Sequence, residues 1–220
     1  MLGPLLYITG TNTGVGKTLL AALLLRRQAA RRIRTGAMKP FCSGGREDAE
    51  RLHALQFAGL TLDQVNPFHF AEPITPLLAA RLAQRKITLA ETIAALDAIR
   101  EPATPLVIEG AGGLLSPLGE GFTLHDLIQA RPGRACIVAG NMIGVINLVC
   151  LTSRQLNLPA QDQSIVLMDS QTPDASSASN ALLLAELIPG AAIHSVPYLH
   201  SEESALSDPK VVETLDRIWA

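Results

Sequence analysis

Cysteine is scarce in this chain of 220 residues: Cys42, Cys136 and Cys150, with no CxxC pair among them. That count speaks against a disulfide framework or a thiolate zinc site, and for a reducing compartment. Charge of either sign is scarce too. The net value of −2 leaves no overall basic footprint for nucleic acid. The one basic run, Arg26, Arg27, Arg31, Arg32 and Arg34, falls at the end of an expected helix, where cations suit the helix dipole. His69, His125, His194 and His200 show no metal spacing. The most apolar stretch, 135–151, is broken by Asn141, Asn147 and two glycines, and reads as strand, turn and buried helix, not as a membrane span. No signal peptide, internal repeat or low-complexity linker is visible. With 48% apolar and 17% charged residues, the expectation is one globular domain over 1–220, located in the cytoplasm.

What is present declares itself at once. An apolar run, Leu5 to Thr9, stops in Gly10-Thr11-Asn12-Thr13-Gly14-Val15-Gly16-Lys17-Thr18, and a helical pattern follows from Leu19 to about Arg32. Strand, glycine turn and helix N-terminus is the order of a phosphate-binding loop. The glycines let backbone N–H groups close on phosphate oxygens, and the helix dipole favours the anion. Lys17 supplies a point charge for the outer phosphates and Thr18 a hydroxyl for Mg²⁺. The strict pattern places glycine where Thr11 stands and here Gly10 comes one residue early, so the loop is a variant. The ligand class it names is nucleoside triphosphate.

Strands then alternate with helices. Thr35–Lys39 reads as a short strand ended by Pro40, Glu47–Ala58 as a helix stopped by Gly59, and Asn66–Pro76 as an irregular connection. Further helices are expected over Pro76–Gln84 and over Thr88–Arg100, where Thr88 and Glu91 form a capping-box pattern. Leu106–Ile108, Ala135–Ala139, Ser164–Met168 and Ala192–Val196 read as buried strands, with a helix starting near Gly144 and a last one begun by Asp208-Pro209. This βα order predicts an α/β fold: a doubly wound, mostly parallel sheet with helices on both faces, as in P-loop NTPases. Ligands of such sheets collect at the carboxyl ends of the strands.

That rule brings distant residues to one rim. Glu109 ends a buried strand and is suited to reach Mg²⁺ near Thr18. Lys39, at another strand end, is suited to hold a transferred phosphoryl group. Ser43-Gly44-Gly45 offers a hydroxyl and free N–H groups to an anionic substrate. Asp48 sits in the first turn of its helix, where it either serves the metal or simply complements the dipole. Cys42, in a polar loop with no base beside it, is expected to be exposed and is not assigned as a nucleophile.

The phosphate loop, Lys39-Pro40 with Ser43-Gly44, Glu109-Gly110-Ala111-Gly112-Gly113 and Gly144-Val145-Ile146-Asn147 together resemble the dethiobiotin synthetases, in order and spacing over roughly the first three-quarters of the chain. The resemblance implies a ligase that forms a cyclic urea from 7,8-diaminononanoate, CO₂ and ATP with Mg²⁺, through a carbamate and a carbamic–phosphoric anhydride. It implies a homodimer with the substrate near the interface; charge and composition point to neither nucleic acid nor membrane as partner. By position, Lys17 and Lys39 are the working lysines, and Thr13 and Ser43 contact the carbamate. Thr18, Asp48 and Glu109 hold the metal, with Glu47 as the alternative to Asp48. Gly144, Val145 and Asn147 hold the substrate's carboxylate tail from the partner subunit. Nucleotide contacts are implied for Thr13, Gly14, Val15, Gly16, Lys17, Thr18, Leu19, Asp48, Glu109, Gly112, Asp169 and Pro197.

The chain departs from the pattern in the phosphate loop, where Gly14 replaces a frequent acidic residue, and at Met168-Asp169, where many members carry an Asn-Asp pair that reads adenine. Methionine cannot make paired amide hydrogen bonds, so base selectivity is expected to loosen toward GTP or CTP. Other classes compatible with the loop are a regulatory NTPase switch and another ATP-dependent amide or cyclo-ligase. The first usually carries a second lysine early in the loop, where Thr11 and Asn12 stand here.

Overall fold

The computed structural model describes residues 3–101 and 104–219. The chain begins with β1 (Leu5–Gly10), turns through the glycine loop into α1 (Lys17–Ala30), and continues with β2 (Gly36–Met38), β3 (Phe41–Ser43), α2 (Glu47–Leu55), α3 (Leu62–Val65) and β4 (Phe68–Phe70). Then follow α4 (Pro76–Leu82), α5 (Leu89–Ile99), β5 (Leu106–Glu109), β6 (Pro117–Gly119), β7 (Phe122–Thr123), α6 (Leu124–Ala130), β8 (Arg134–Gly140) and α7 (Val145–Leu156). The last part holds a short 3₁₀ turn, β9 (Gln163–Met168), α8 (Ser177–Leu187), β10 (Ala192–Val196), α9 (Glu202–Ser207) and α10 (Pro209–Trp219).

Six strands form one sheet in the order β10-β9-β8-β1-β5-β2. Every pairing in it is parallel, with Ile8 in register with both Glu109 and Cys136. The strands are short apolar runs because both faces are covered: β1 and β5 are buried along their whole length. Helices α1, α2, α9 and α10 pack among themselves, as do α5 with α6 and α7 with α8, while β10 meets both α8 and α10. From β1 the chain goes to the edge strand β2, returns to place β5 between the two, and then adds β8, β9 and β10 in turn on the other side of β1. The order therefore reverses at β1, and the glycine loop leaves its carboxyl end, where such sheets bind ligands.

The expected elements are present, and several details differ. The stretch expected to be irregular contains α3 and β4, and β4 pairs parallel with β3. That pairing corrects the expectation for Cys42: it sits in β3, paired with His69 of β4, and is only 4% exposed. Burial also raises its thiol pKa to about 11, against the pull of Lys39, so it stays protonated at neutral pH. At α5 only half of the capping box forms. Thr88 Oγ1 accepts from the Glu91 N–H (3.2 Å), but the Glu91 carboxylate turns to Arg85 instead. A small antiparallel pair, β6 with β7, was not foreseen. The arginine run does structural duty: Arg26 pairs with Glu202, Arg27 and Arg31 with Asp216, and Arg34 with Glu101. Among the described residues no helix is long and apolar enough to cross a membrane.

Candidate active site

The glycine loop is shaped by left-handed residues that only glycine adopts without strain. Gly14 has φ +74° and Gly16 φ +99°. Gly16 caps α1 without a side chain, so the first N–H groups of the helix stay open to an anion. Lys17 folds back over the loop, its Nζ donating to the Asn12 carbonyl at 2.9 Å, and is 7% exposed. Burial lowers its pKa, with Lys39 adding to the effect and Glu109 and Asp48 opposing it.

Beside the loop stands a compact group of charges. Glu109, at the end of β5 and 1% exposed, accepts through Oε1 from Thr18 Oγ1 at 2.7 Å and from Lys39 Nζ at 2.5 Å. Lys39 also reaches Asp48 Oδ2 at 3.1 Å. Burial alone would depress the lysine pKa, but Glu109 and Asp48 outweigh it and hold the group above the ordinary value, so Lys39 is a permanent cation. The second oxygen of Glu109, Oε2, is buried with no hydrogen-bond partner. A buried carboxylate oxygen without a donor is costly unless a cation or water meets it. Two carboxylates and a hydroxyl are hard oxygen donors, few enough to leave room for phosphate oxygens and water, and so fit Mg²⁺. The described residues hold no cluster of three or more His, Cys, Asp or Glu side chains, which sets the site apart from an all-protein metal cage.

These groups open into a cavity of about 740 Å³ lined by Thr13, Gly14, Gly16, Lys17, Thr18, Leu19, Lys39, Ser43, Asp48, Glu109 and Gly112, with Phe41, Cys42 and the segment Pro73–Pro76 as further walls. Asp48 faces it, whereas Glu47 lies against the backbone of Gly45 and is not part of the lining. Val15 packs against the core. Asp169, Pro197, Gly144, Val145 and Asn147 do not line this cavity. Asp169 sits in a separate polar cluster, accepting from Asn141 Nδ2 at 2.7 Å, and its N–H bonds Val196 O at 2.9 Å. Met168 lies against Gly16, within 3.4 Å of where a Cβ there would stand. Gly144, with φ +87°, caps α7 without a side chain, and the first N–H of that helix, Val145, donates to the Met142 carbonyl at 3.1 Å.

Sequence reasoning missed Arg51 and Ser116, both in the cavity wall. Arg51 lies three residues after Asp48 on the same helix face, a signal present in the sequence. Ser116, whose Oγ accepts from Gly113 N at 2.9 Å, had none.

A parallel sheet with a glycine loop at its reversal point, a buried lysine in that loop and a carboxylate beside its threonine define a P-loop nucleotide-binding protein. An AAA domain family model matches residues 5–201. The hydrogenase maturation factor HypB of Archaeoglobus fulgidus is similar in fold, with a TM-score of 0.52 at 17% identity, over 97% of this chain and 87% of that one. Among curated proteins, the ATP-dependent dethiobiotin synthetase of Bacillus licheniformis is 37% identical over 67% of this chain and 65% of its own length. That of Anaeromyxobacter dehalogenans strain 2CP-1 is 35% identical over 83% of this chain and 84% of its own. The chain belongs to the ATP-dependent dethiobiotin synthetase family.

Proposed function

We propose that this protein closes the cyclic urea of dethiobiotin from 7,8-diaminononanoate, CO₂ and ATP. The observation that carries the reading is the Thr18–Glu109–Lys39 group at the wall of the phosphate-loop cavity, in a chain of this family. One amine of the substrate adds to CO₂ and loses a proton, giving a carbamate. A carbamate oxygen attacks the γ-phosphorus and the bond to ADP breaks, giving a carbamic–phosphoric anhydride. The second amine attacks the carbamoyl carbon, the ring closes and phosphate leaves with the electrons of the C–O bond.

Such chemistry asks the protein for positioning and charge stabilisation more than for a nucleophile. Lys17 holds the β- and γ-phosphates, and its buried charge is released from the Asn12 carbonyl to do so. Lys39, kept cationic by two carboxylates, faces the carbamate and the transferred phosphoryl group and spreads the charge of the transition state. Thr13 and Ser43, both in the cavity wall, orient the carbamate. Mg²⁺, held by Thr18, Asp48 and Glu109, would screen the phosphate charge and keep the leaving group in line. Leu19 and Gly112 border the nucleotide, and Asp169 and Pro197 stand on its base side, with selectivity loosened by Met168.

The carboxylate tail of the diamine is assigned to Gly144, Val145 and Asn147 of a second subunit. The absence of these residues from the cavity and the exposed Ile143, Leu148 and Leu151 around them support a homodimer. The reading is completed by a cytoplasmic setting. Phosphate release from Mg-ATP, with and without the diamine and bicarbonate and with mass detection of the product, tests it. Release that depends on the diamine and yields the cyclic urea is expected. Diamine-independent hydrolysis with no urea would refute the ligase and favour an NTPase switch.

A further inference from the structure

Asp48 has little of its own to hold it in place. Its side chain is 54% exposed and its contact is the ammonium of Lys39 at 3.1 Å. The helix that carries it, α2, has nine residues and buries only Ala49 and Leu52 against the core. So few apolar contacts would leave the direction of the first turn poorly fixed. Two arginines make up the difference. Arg46, at the helix cap, donates through Nε to Asn66 Oδ1 (2.9 Å), and Asn66 in turn donates to the Lys39 carbonyl (2.7 Å). This ties the start of α2 to the strand end that bears Lys39. One turn further on, Arg51 crosses to Glu202 at the start of α9, 151 residues away in sequence. Glu202 is 17% exposed at its side chain, and its other oxygen takes Arg26 of α1 at 2.6 Å. Through Arg51 it ties α2 to α9, which itself packs on α1, the helix that begins in the phosphate loop.

We propose that Glu202 is a positioning residue for the metal end of the site: by gripping Arg51 it holds the turn of α2 that presents Asp48. The proposal rests on the reading of Asp48 as a metal ligand. Glu202 has a second effect of the same sign. Asp48 and Arg51 are three residues apart on one helix face, so an Arg51 released by Glu202 is free to pair with Asp48 and draw it from the cation. Neither effect involves contact between Glu202 and the nucleotide.

The test is Mn²⁺ binding to the protein–ADP complex, followed by the loss of the free-ion paramagnetic resonance signal, at a temperature where every variant is folded by circular dichroism. Partners that orient metal ligands typically contribute 10- to 100-fold in metal affinity. Glu202→Gln and Arg51→Ala are therefore expected to weaken Mn²⁺ about tenfold, and the double variant no more than either alone. Metal-free ADP affinity of Glu202→Gln should stay within about twofold, and Arg51→Lys should recover part of the loss. Arg26→Ala removes the other arm of the same carboxylate and serves as the control: it should lower stability as much without the loss of Mn²⁺ affinity. Unchanged Mn²⁺ affinity in both Glu202→Gln and Arg51→Ala, with a tenfold loss in Asp48→Asn, would overturn the proposal while leaving the metal reading intact. Unchanged affinity in Asp48→Asn itself would remove Asp48 as a ligand and the proposal with it.

Discussion

The buried pair of Lys39 and Glu109 allows a prediction that separates stability from catalysis. In the protein without nucleotide, Lys39 fills one face of a carboxylate that is 1% exposed, and Thr18 is the other donor to the same oxygen. Lys39→Met removes the cation and leaves Glu109 with the hydroxyl alone. Breaking a buried pair from one side costs about 3–5 kcal/mol. The lower end applies here, about 3 kcal/mol, because the pair borders a solvent-filled cavity. Glu109→Gln is milder, about 1–2 kcal/mol, since Lys39 keeps Asp48 at 3.1 Å. The double variant leaves no buried charge uncompensated on Glu109, and should fall short of the sum of the singles by about 1–2 kcal/mol. Urea unfolding of the four proteins at pH 7, without ligand, reads this coupling, and turnover should collapse in all three variants. The pH dependence has a definite sign. The folded pKa of Lys39 lies above its ordinary 10.5. Its stabilisation is therefore complete below pH 10.5 and disappears as pH rises through the folded value, so the gap between wild type and Lys39→Met should narrow only in that alkaline range. Additivity within about 0.5 kcal/mol would show that the two charges do not support each other in the free protein, and the reasoning would fail.

Lys17 has the opposite linkage. Its folded pKa is pulled below 10.5 by burial, so its charge burdens the free protein until pH rises through that lowered value, and a phosphate should restore the proton. Nucleotide binding in the alkaline range below pH 10.5 is thus expected to take up protons and to weaken with rising pH, which calorimetry in two buffers of different ionisation enthalpy would measure. Gly16→Ala and Gly144→Ala both strain a positive φ, at about 1–2 kcal/mol each. Only the first also meets a neighbour, Met168 at 3.2 Å, and only the first should abolish nucleotide binding in a titration. Met168→Asn is expected to raise the preference for ATP over GTP and CTP by about tenfold or more in competition binding, by adding an amide that can read the base.

The parts of this site that were legible in the sequence are those whose geometry is set by contiguous backbone or by a rule of topology. The phosphate loop is one strand, one turn and one helix start, so residue spacing is distance. Glu109 and Lys39 are 70 residues apart, yet each ends an apolar run, and a parallel sheet brings all such ends to one rim. The sheet order then makes β5 the neighbour of both β1 and β2, which is why Thr18, Lys39 and Glu109 meet. What was not legible depends on pairings with no periodic signature. Strands β3 and β4 have three residues each and stand beside prolines, too short for alternation to declare itself, and the burial of Cys42 follows from them.

The same reasoning explains why the electrostatic frame around the site was invisible. Arg26 and Arg51 belong to helix surfaces where a charge is ordinarily solvated, and nothing local says that either pairs with Glu202. Their meaning comes from Glu202, delivered by a short helix that the topology carries back over α1 after the last strand. Even the local code gives way to such partners. Thr88 and Glu91 have the spacing of a capping box, yet Arg85 offers the Glu91 carboxylate an opposite charge, and that wins over one backbone N–H. An acidic side chain near an arginine is thus a competition between alternatives. At Asp48 the same competition bears on the proposed metal role, because Lys39 already holds one of its oxygens and Arg51 stands three residues away on the same helix. On that proposal Glu202, by occupying Arg51, would leave the carboxylate facing the cavity.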